Sequence, residues 1–329
     1  MLILGAMTKG ADVMTETKIF FACDVHGSEL VWRKFLGAAK FHRVDALIMS
    51  GDLTGKGIVP LIDAGDGART CTFRDKHYTL RSQQEVENMC DTVRTHGLYP
   101  YVCTRAEVEE LKADKKKVDA LFEDLMVDGI HRWLKMVEEK VDPKIRVVIN
   151  PGNDDLYAID DVIRSFDRVI YPLENVVDFD VYQMISCEWS NPTPWDSPRE
   201  CPEEELHRKL EKEFDRVDDC SKLICNFHVP PYDTNIDEAP EVDEKLNIKK
   251  GFLGIPKLGH VGSKAIREII EEKQPPLGLH GHIHESDGED KIGKTTCLNP
   301  GSEYTRGVLR AYLVTLSESG IKYGKISSG

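Results

Sequence analysis

The strongest constraint on the fold is a repeated pattern in which a short apolar segment ends in a turn that carries Asp, Asn or His. Five such segments occur, at 18–23, 44–50, 146–150, 222–227 and 277–279. Apolar runs of this length are typical of strands that are buried on both faces of a sheet. Helical patterns begin after the first segment, near Ser28, and after the third, near Ile159. This succession of strand, turn and helix predicts an α/β fold with a parallel sheet.

The turns after the five segments carry side chains that bind metals or protons. These side chains are Asp24 and His26, Asp52, Asn153 and Asp154, His228, and His282 and His284. In an open α/β sheet, ligands collect outside the carboxyl ends of the strands, so we expect the five turns to converge on one edge. One polar turn is ordinary in a solvated loop. Five turns of this composition indicate a shared site.

The last of these turns contains two histidines, His282 and His284, separated by one residue. On an extended backbone both imidazoles project to the same side and face one small volume. Neutral imidazole is the commonest side-chain metal ligand, and two metal ions at a phosphoester-cleaving site lie about 3.5–4 Å apart. A pair of hydrogen-bonded surface histidines explains this tetrapeptide alone equally well. The other four turns favour the metal site.

Charge and cysteine content limit the partners and the compartment. The chain has 43 Lys and Arg against 57 Asp and Glu, which gives a net charge of −14. Such an acidic chain gains little from counterion release, so we expect no binding to long nucleic acid. Nine dispersed cysteines without a C-x-x-C pair predict a reduced, cytoplasmic protein. The sequence has no apolar run of about 18 residues, so we expect no membrane span.

The remaining segments predict one large domain with an insertion. Periodicity begins at Thr17, so we expect residues 1–16 to be a disordered leader and 17–329 to be a single domain. A segment at about 54–144 is inserted, with a hairpin at Asp66-Gly67 and an amphipathic helix that ends before Pro143. We expect the apolar stripe of this helix to be a packing face. A lid, or a contact in a homo-oligomer, is the alternative.

Two features next to the polar turns allow structural interpretations. The segment 189–195 is rich in proline and carries two tryptophans. Such a loop could form the rim of a site, or it could cover the edge of a sheet. Asp155 is expected to cap the helix that follows it.

Taken in order, the polar motifs resemble those of the calcineurin-like metallophosphoesterase superfamily. The motifs are Asp24-Val25-His26, Gly51-Asp52, Gly152-Asn153-Asp154-Asp155, His228 and Gly281-His282-Ile283-His284. The resemblance covers roughly residues 18–302. It implies a four-layer αββα fold, in which a two-sheet β-sandwich is flanked by helices. The insertion and the tryptophan-bearing loop lie outside the shared core.

The resemblance also implies two divalent metal ions, with the Asp52 carboxylate bridging them. One ion would be bound by Asp24, His26 and His284, and the other by Asn153, His228 and His282. This mixed set of oxygen and nitrogen ligands suits manganese, iron, zinc, cobalt or nickel rather than calcium. Manganese is the working choice.

The activity implied is hydrolysis of a small-molecule phosphoester by a metal-bridging hydroxide that attacks phosphorus in line. Asn153 and Asp154 are the candidate catalytic residues. The family pattern usually has His where this chain has Asp154, and an ionised Asp beside cations is a poor proton donor. Three explanations remain: another group such as His280 donates the proton, the substrate has a good leaving group, or hydrolysis has been lost.

Some family members with another residue in place of this His act as phosphodiesterases, so the resemblance favours a phosphodiesterase over a phosphomonoesterase. A phosphoprotein phosphatase fits less well, because family members with that activity carry G-D-x-x-D-R-G where this chain has Gly51-Asp52-Leu53-Thr54-Gly55-Lys56-Gly57. The alternative from another class is a noncatalytic interaction module that has kept the fold.

Overall fold

The computed structural model describes residues 16–243 and 245–329. The predicted leader therefore lies outside the described residues, except for Glu16. The helices are α1 Glu29–His42, α2 Gln83–Thr95, α3 Arg105–Ala113, α4 Lys115–Lys140, α5 Ala158–Arg164, α6 Glu203–Phe214 and α7 Lys264–Lys273. The strands are β1 Thr17–Cys23, β2 Ala46–Ser50, β3 Ile58–Asp63, β4 Arg69–Phe73, β5 Lys76–Leu80, β6 Tyr99–Cys103, β7 Arg146–Asn150, β8 Val177–Phe179, β9 Tyr182–Cys187, β10 Leu223–Phe227, β11 Glu238–Pro240, β12 Leu258–His260, β13 Leu277–Leu279, β14 Gly288–Ile292, β15 Thr295–Asn299, β16 Leu309–Ser317 and β17 Gly320–Ser328.

Two mixed sheets form the body of the molecule. The first has the strand order β17-β16-β1-β2-β7, and the second has the order β14-β15-β13-β10-β9-β8. Strands β1, β2 and β7 run parallel, and so do β9, β10, β13 and β15. The C-terminal hairpin pairs β16 with β1 and β17 with β16 in antiparallel register.

The alternation of side chains along β1 shows how the layers pack. Ile19 and Phe21 face the second sheet and belong to the core between the two sheets. Phe20 and Ala22 face the other way and pack with residues of α1, α4 and α5. The outer face of the second sheet is covered by apolar residues of α6 and α7. The expected two-sheet sandwich flanked by helices is therefore confirmed.

The inserted segment has a sheet of its own, with the order β5-β4-β3-β6. The predicted hairpin around Asp66-Gly67 is confirmed, because β3 and β4 pair antiparallel with Ile62 opposite Thr70. The pairing of β6 parallel to β3 was not foreseen. A small apolar cluster lies between this sheet and α2. Among the residues that the structure describes, no helix is long and apolar enough to cross a bilayer.

The long helix of the insertion is joined to the main core. Helix α4 buries Met126, Ile130, Trp133 and Val137 in the same cluster as α1. The indole of Trp133 stacks on that of Trp32, with 4.8 Å between the ring centroids and 7° between the planes. The apolar stripe is therefore a packing face, as expected. The two tryptophans hold the insertion against the helix that follows β1.

Replacing Trp133 with Ala should strongly destabilise the protein. The side chain is 3% exposed, and truncating a buried aromatic residue costs about 3–5 kcal/mol of unfolding free energy. Urea unfolding followed by circular dichroism would measure the loss. The control is Phe41→Ala at a position that is 82% exposed, where a change within about 0.5 kcal/mol is expected. Equal effects of the two substitutions would contradict the packing role of Trp133.

Candidate metal centre

The five polar turns all lie where parallel strands end. Asp24 and His26 follow β1, Asp52 follows β2, Asn153 follows β7, His228 follows β10, and His282 and His284 follow β13. Backbone hydrogen bonds join the turns, from His26 N to the Asp52 carbonyl (2.9 Å) and from Gly281 N to the His228 carbonyl (2.8 Å). The carboxyl ends of both sheets thus meet at one place, and the expected convergence of these turns is found.

One group of ligand atoms is formed by two carboxylates and two imidazoles. Its members are Asp24, His26, Asp52 and His284, whose ligand atoms all lie within 4.8 Å of one another. The Nε2 atoms of His26 and His284 are 3.0 Å apart, and His26 Nε2 is 3.6 Å from Asp52 Oδ2. His284 Nε2 is 3.9 Å from Asp24 Oδ1. Two nitrogens and two oxygens therefore face one small volume.

A second group lies on the other side of Asp52. The ligand atoms of Asp52, His228 and His282 are also within 4.8 Å of one another. The amide oxygen of Asn153 joins them, at 2.9 Å from His228 Nε2 and 2.8 Å from His282 Nδ1. Asp52 Oδ1 lies 3.5 Å from His228 Nε2, whereas its Oδ2 faces His26. Each oxygen of this carboxylate thus faces a different group.

Four residues of these turns have left-handed backbone conformations. Their φ angles are 52° at Asp24, 39° at His26, 45° at Asp52 and 65° at His282. For a residue other than glycine this conformation costs on the order of 1–2 kcal/mol. Gly51 beside them, at φ 79°, cannot be replaced by a larger residue, since an added Cβ would lie 1.9 Å from His228 Nδ1. Backbone strain of this kind gathers at functional sites, where surrounding structure holds it in place.

The electrostatics of the cluster call for a cation. Asp24 and Asp52 are 0% and 3% exposed, and burial raises the pKa of Asp24. Within the described chain, the ion-pair contacts of the Asp24 carboxylate are to His228 and His284 at 4.0 and 3.9 Å. Burial lowers the pKa of His26 well below its usual range and that of His282 to about 3, so both imidazoles are neutral at pH 7. Buried carboxylates, an amide oxygen and neutral imidazoles fit divalent metal ions.

Asp155 has a different role from the one expected. It does not cap α5, whose first turn has no side-chain cap. Its carboxylate instead accepts hydrogen bonds from Leu53 N (2.9 Å), from Thr54 N and Oγ1 (2.9 and 2.7 Å) and from Gly152 N (2.9 Å). The capping prediction is wrong because these four donors already occupy both carboxylate oxygens. Asp155 thereby ties the turn that carries Asp52 to the turn that carries Asn153.

His280 does not fit the role of proton donor. The side chain is fully buried, and its Nδ1 is bonded to the carbonyls of Phe227 (2.8 Å) and Val229 (3.1 Å). Burial lowers the pKa of His280 to about 4, so the ring is neutral at pH 7. Its Nε2 lies against Gly278, where an added Cβ would be 2.5 Å away. The ring therefore joins the turn after β13 to the turn after β10.

Asp154 lies at the half-buried rim of the cluster. Its backbone N–H donates to Asp52 Oδ1 at 3.1 Å, and its carboxylate forms an ion pair with Lys56. The sequence interpretation missed Lys56, although its place four residues after Asp52 on the same turn was a usable signal. It also missed Tyr304, whose ring centroid lies 4.7 Å from that of His26. No local pattern marks Tyr304.

Comparison with known sequences gives one partial relative. No protein-family model matches the chain. An uncharacterized protein of Methanocaldococcus jannaschii is 33% identical over 162 residues, which cover 47% of this chain and 64% of that protein. The match therefore spans less than two thirds of the relative's length.

Comparison with solved structures supports the fold. One crystal structure superposes with a TM-score of 0.54 at 14% identity, covering 94% of this chain and 99% of that one. A protein of Thermus thermophilus gives 0.45 at 13% identity, with 94% and 99% covered. An archaeal phosphodiesterase gives 0.40 at 10% identity, with 95% and 100% covered. The first likeness shows that the two-sheet sandwich is a known architecture.

Replacing Asp155 with Asn should loosen the junction between the two turns. Asn offers one acceptor oxygen and places an amide group against backbone donors, and each buried donor left unsatisfied costs about 1–3 kcal/mol. The unfolding free energy of metal-free protein should fall by at least about 2 kcal/mol in urea titrations. The control is Asp161→Asn, on a side chain that is 94% exposed, with no measurable effect expected. An unchanged stability of the Asp155 variant would show that these hydrogen bonds do not hold the turns.

Proposed function

We propose that this chain, which has the calcineurin-like metallophosphoesterase fold, hydrolyses phosphoric esters with two divalent metal ions and prefers phosphodiesters to phosphomonoesters. The observation that carries the proposal is the pair of ligand groups on either side of the Asp52 carboxylate. A small-molecule substrate is supported by the net charge of −14, which disfavours long nucleic acid. The cytoplasm remains the proposed compartment.

In this proposal the ligands are divided between the ions as the motifs suggest. Asp24, His26 and His284 would hold one ion, Asn153, His228 and His282 would hold the other, and Asp52 lies between the two groups. Manganese is the proposed metal. When bound, two such ions bring the pKa of a water molecule near neutrality and offset the negative charge on a phosphoryl group. Asp52 would offer one oxygen to each ion, because each of its oxygens faces one ligand group.

The side chains around the ligands determine how a substrate approaches. Asp24 and His228 are fully buried, whereas the His284 side chain is 29% exposed. His282 is partly exposed as well, so the substrate is expected to approach from the side of these two histidines. Tyr304 lies there too, with its ring centroid 6.0 Å from that of His284. An aromatic ring at this position excludes water from one side of the phosphoryl group.

The Lys56–Asp154 pair supports a preference for diesters. An aspartate is ionised at neutral pH and has no proton to give to a leaving group. Its negative charge also repels a dianionic monoester more strongly than a monoanionic diester. Lys56 offsets part of this charge and remains close enough to the cluster to lower the pKa values of His26 and His282, although burial is the larger cause of both shifts. The pair thus favours substrates that carry less negative charge and have leaving groups that need no proton.

Removal of the shared carboxylate tests the proposed function. The wild-type protein should bind two manganese ions and hydrolyse bis-p-nitrophenyl phosphate when manganese is added. Asp52→Asn should lose at least about a thousandfold in kcat/KM, equivalent to about 4 kcal/mol, because both ions lose a ligand. The control, Asp218→Asn at an exposed position, should keep full activity. Two bound ions without turnover on any ester would instead favour the noncatalytic module, and near-normal turnover of the Asp52 variant would reject the bridge.

Substitution of Asp154 tests the substrate preference. Asp154→His should raise the ratio of monoester to diester cleavage by about tenfold, because it removes a negative charge and adds a proton donor. Asp154→Asn separates the two effects, since it removes the charge alone and should give a smaller rise. The measurement is kcat/KM on p-nitrophenyl phosphate and on its bis ester. An unchanged ratio in both variants would remove Asp154 from specificity.

A further inference from the structure

We propose that Ser197 and Glu200 orient the side-chain amide of Asn153 so that its oxygen, rather than its nitrogen, faces the second metal site. Both act as positioning residues through Asn153. The inference rests on the proposed metal-dependent function. It also assigns a role to the segment that follows the proline-rich loop 189–195, for which the sequence left two interpretations open.

The two ends of the Asn153 amide have different surroundings. Its Oδ1 faces His228 Nε2 and His282 Nδ1, at 2.9 and 2.8 Å. Its Nδ2 points the other way and donates to Ser197 Oγ at 2.7 Å. An amide nitrogen carries two hydrogens and no lone pair for a metal, whereas the oxygen has two lone pairs. A half-turn of the amide would therefore remove a ligand from the site.

The orientation is fixed because the hydroxyl proton of Ser197 is already used. Ser197 Oγ donates to Glu200 Oε1, which also accepts from the backbone N–H of Ser197 at 3.0 Å. Thr193 N and Oγ1 donate to the same carboxylate. An ionised carboxylate accepts and never donates, and a hydroxyl has a single proton. Ser197 Oγ can therefore only accept from Asn153. The hydrogen bonds therefore run in one direction, from the Asn153 N–H to Ser197 Oγ and from the Ser197 O–H to Glu200.

The negative charge of Glu200 keeps this series of hydrogen bonds in one direction. Burial raises the pKa of Glu200, but the hydrogen bonds from Ser197 and Thr193 outweigh it and lower the pKa below its ordinary value. The carboxylate thus remains ionised at neutral pH and continues to draw the Ser197 proton. Four donors of the loop, two from Thr193 and two from Ser197, bond to it, so the carboxylate also fixes the loop's shape.

The same loop holds the main chain of Asn153. The backbone N–H of Arg199 donates to the Asn153 carbonyl at 3.1 Å, and Arg199 Nε donates to the Asp155 carbonyl at 2.9 Å. The guanidinium, which is 1% exposed, also pairs with Asp160 at 2.7 Å. Two further bonds close the loop on itself, from Ser190 N to the Arg199 carbonyl and from Cys201 N to the Ser190 carbonyl, each 3.0 Å. The loop is therefore a rigid support for the turn after β7.

The test measures metal binding rather than turnover. Ser197→Ala should weaken the binding of one of the two manganese ions by about 10–100-fold, as is typical when a group that orients a metal ligand is removed. In the electron paramagnetic resonance spectrum, the signal of a spin-coupled ion pair should give way to the six-line signal of an isolated ion. Ser197→Thr retains the hydroxyl, so it should bind both ions with wild-type affinity and show the signal of the spin-coupled pair. The control is Ser165→Ala, whose hydroxyl bonds to the Val162 carbonyl far from the ligands.

A second variant tests the negative charge of Glu200. Glu200→Gln keeps the size of the side chain and one carbonyl acceptor but removes the charge, so it should weaken the same ion by less than Ser197→Ala does. The inference is overturned if both variants bind two ions with wild-type affinity. In that outcome the proposed function stands, since the wild-type protein still binds two ions. A wild-type protein that binds no manganese would overturn the proposed function first, and this inference with it.

Discussion

The structure depends on two carboxylates, Asp24 and Asp52, that are buried together among imidazoles and have no lysine or arginine within ion-pair distance in the described residues. Burying a charge is costly unless a partner of opposite charge is buried with it. The histidines can offset the charge only by taking up protons, and burial opposes this at His26 and His282. Burial also opposes it at His228, but the adjacent carboxylates raise the pKa of that imidazole, so one histidine offsets part of the charge. Divalent cations would resolve the conflict, because they would neutralise the carboxylates and use the lone pairs of neutral imidazoles. The surrounding architecture brings these groups together.

The two sheets satisfy the requirement by bringing their carboxyl ends to one edge. Each ligand stands within three residues of the end of β1, β2, β7 or β10, or within five of the end of β13, so strands packed in the core fix its position. Left-handed conformations at four of these residues aim the side chains inward. Hydrogen bonds between turns then hold the strained backbone, with Asp155 joining the turns after β2 and β7, and Arg199 joining the loop after β9 to Asn153. Protein contacts alone therefore hold these turns together.

The sequence predicted the parts of the site that depend on local pattern. Strands with apolar residues on both faces are recognisable from their run length, and an Asp or His directly after such a strand is placed by the strand itself. Sequence analysis did not identify Ser197 and Glu200, and it assigned Asp155 to a helix cap. Their roles come from contacts with residues far away in the chain, such as Leu53 for Asp155. His280 was misjudged for a related reason, since only the structure shows backbone carbonyls on one side of its ring and Gly278 on the other. The parallel pairing of β6 with β3 likewise joins segments that no local pattern connects.

Anomalous X-ray scattering from crystals grown with manganese tests the central claim most directly. The account predicts two peaks on either side of the Asp52 carboxylate, about 3.5–4 Å apart. The ion at one peak should be bound by Asp24, His26 and His284, and the ion at the other by the Asn153 oxygen, His228 and His282. Crystals that contain manganese but show no peak between these side chains, or show peaks only at the molecular surface, would contradict it.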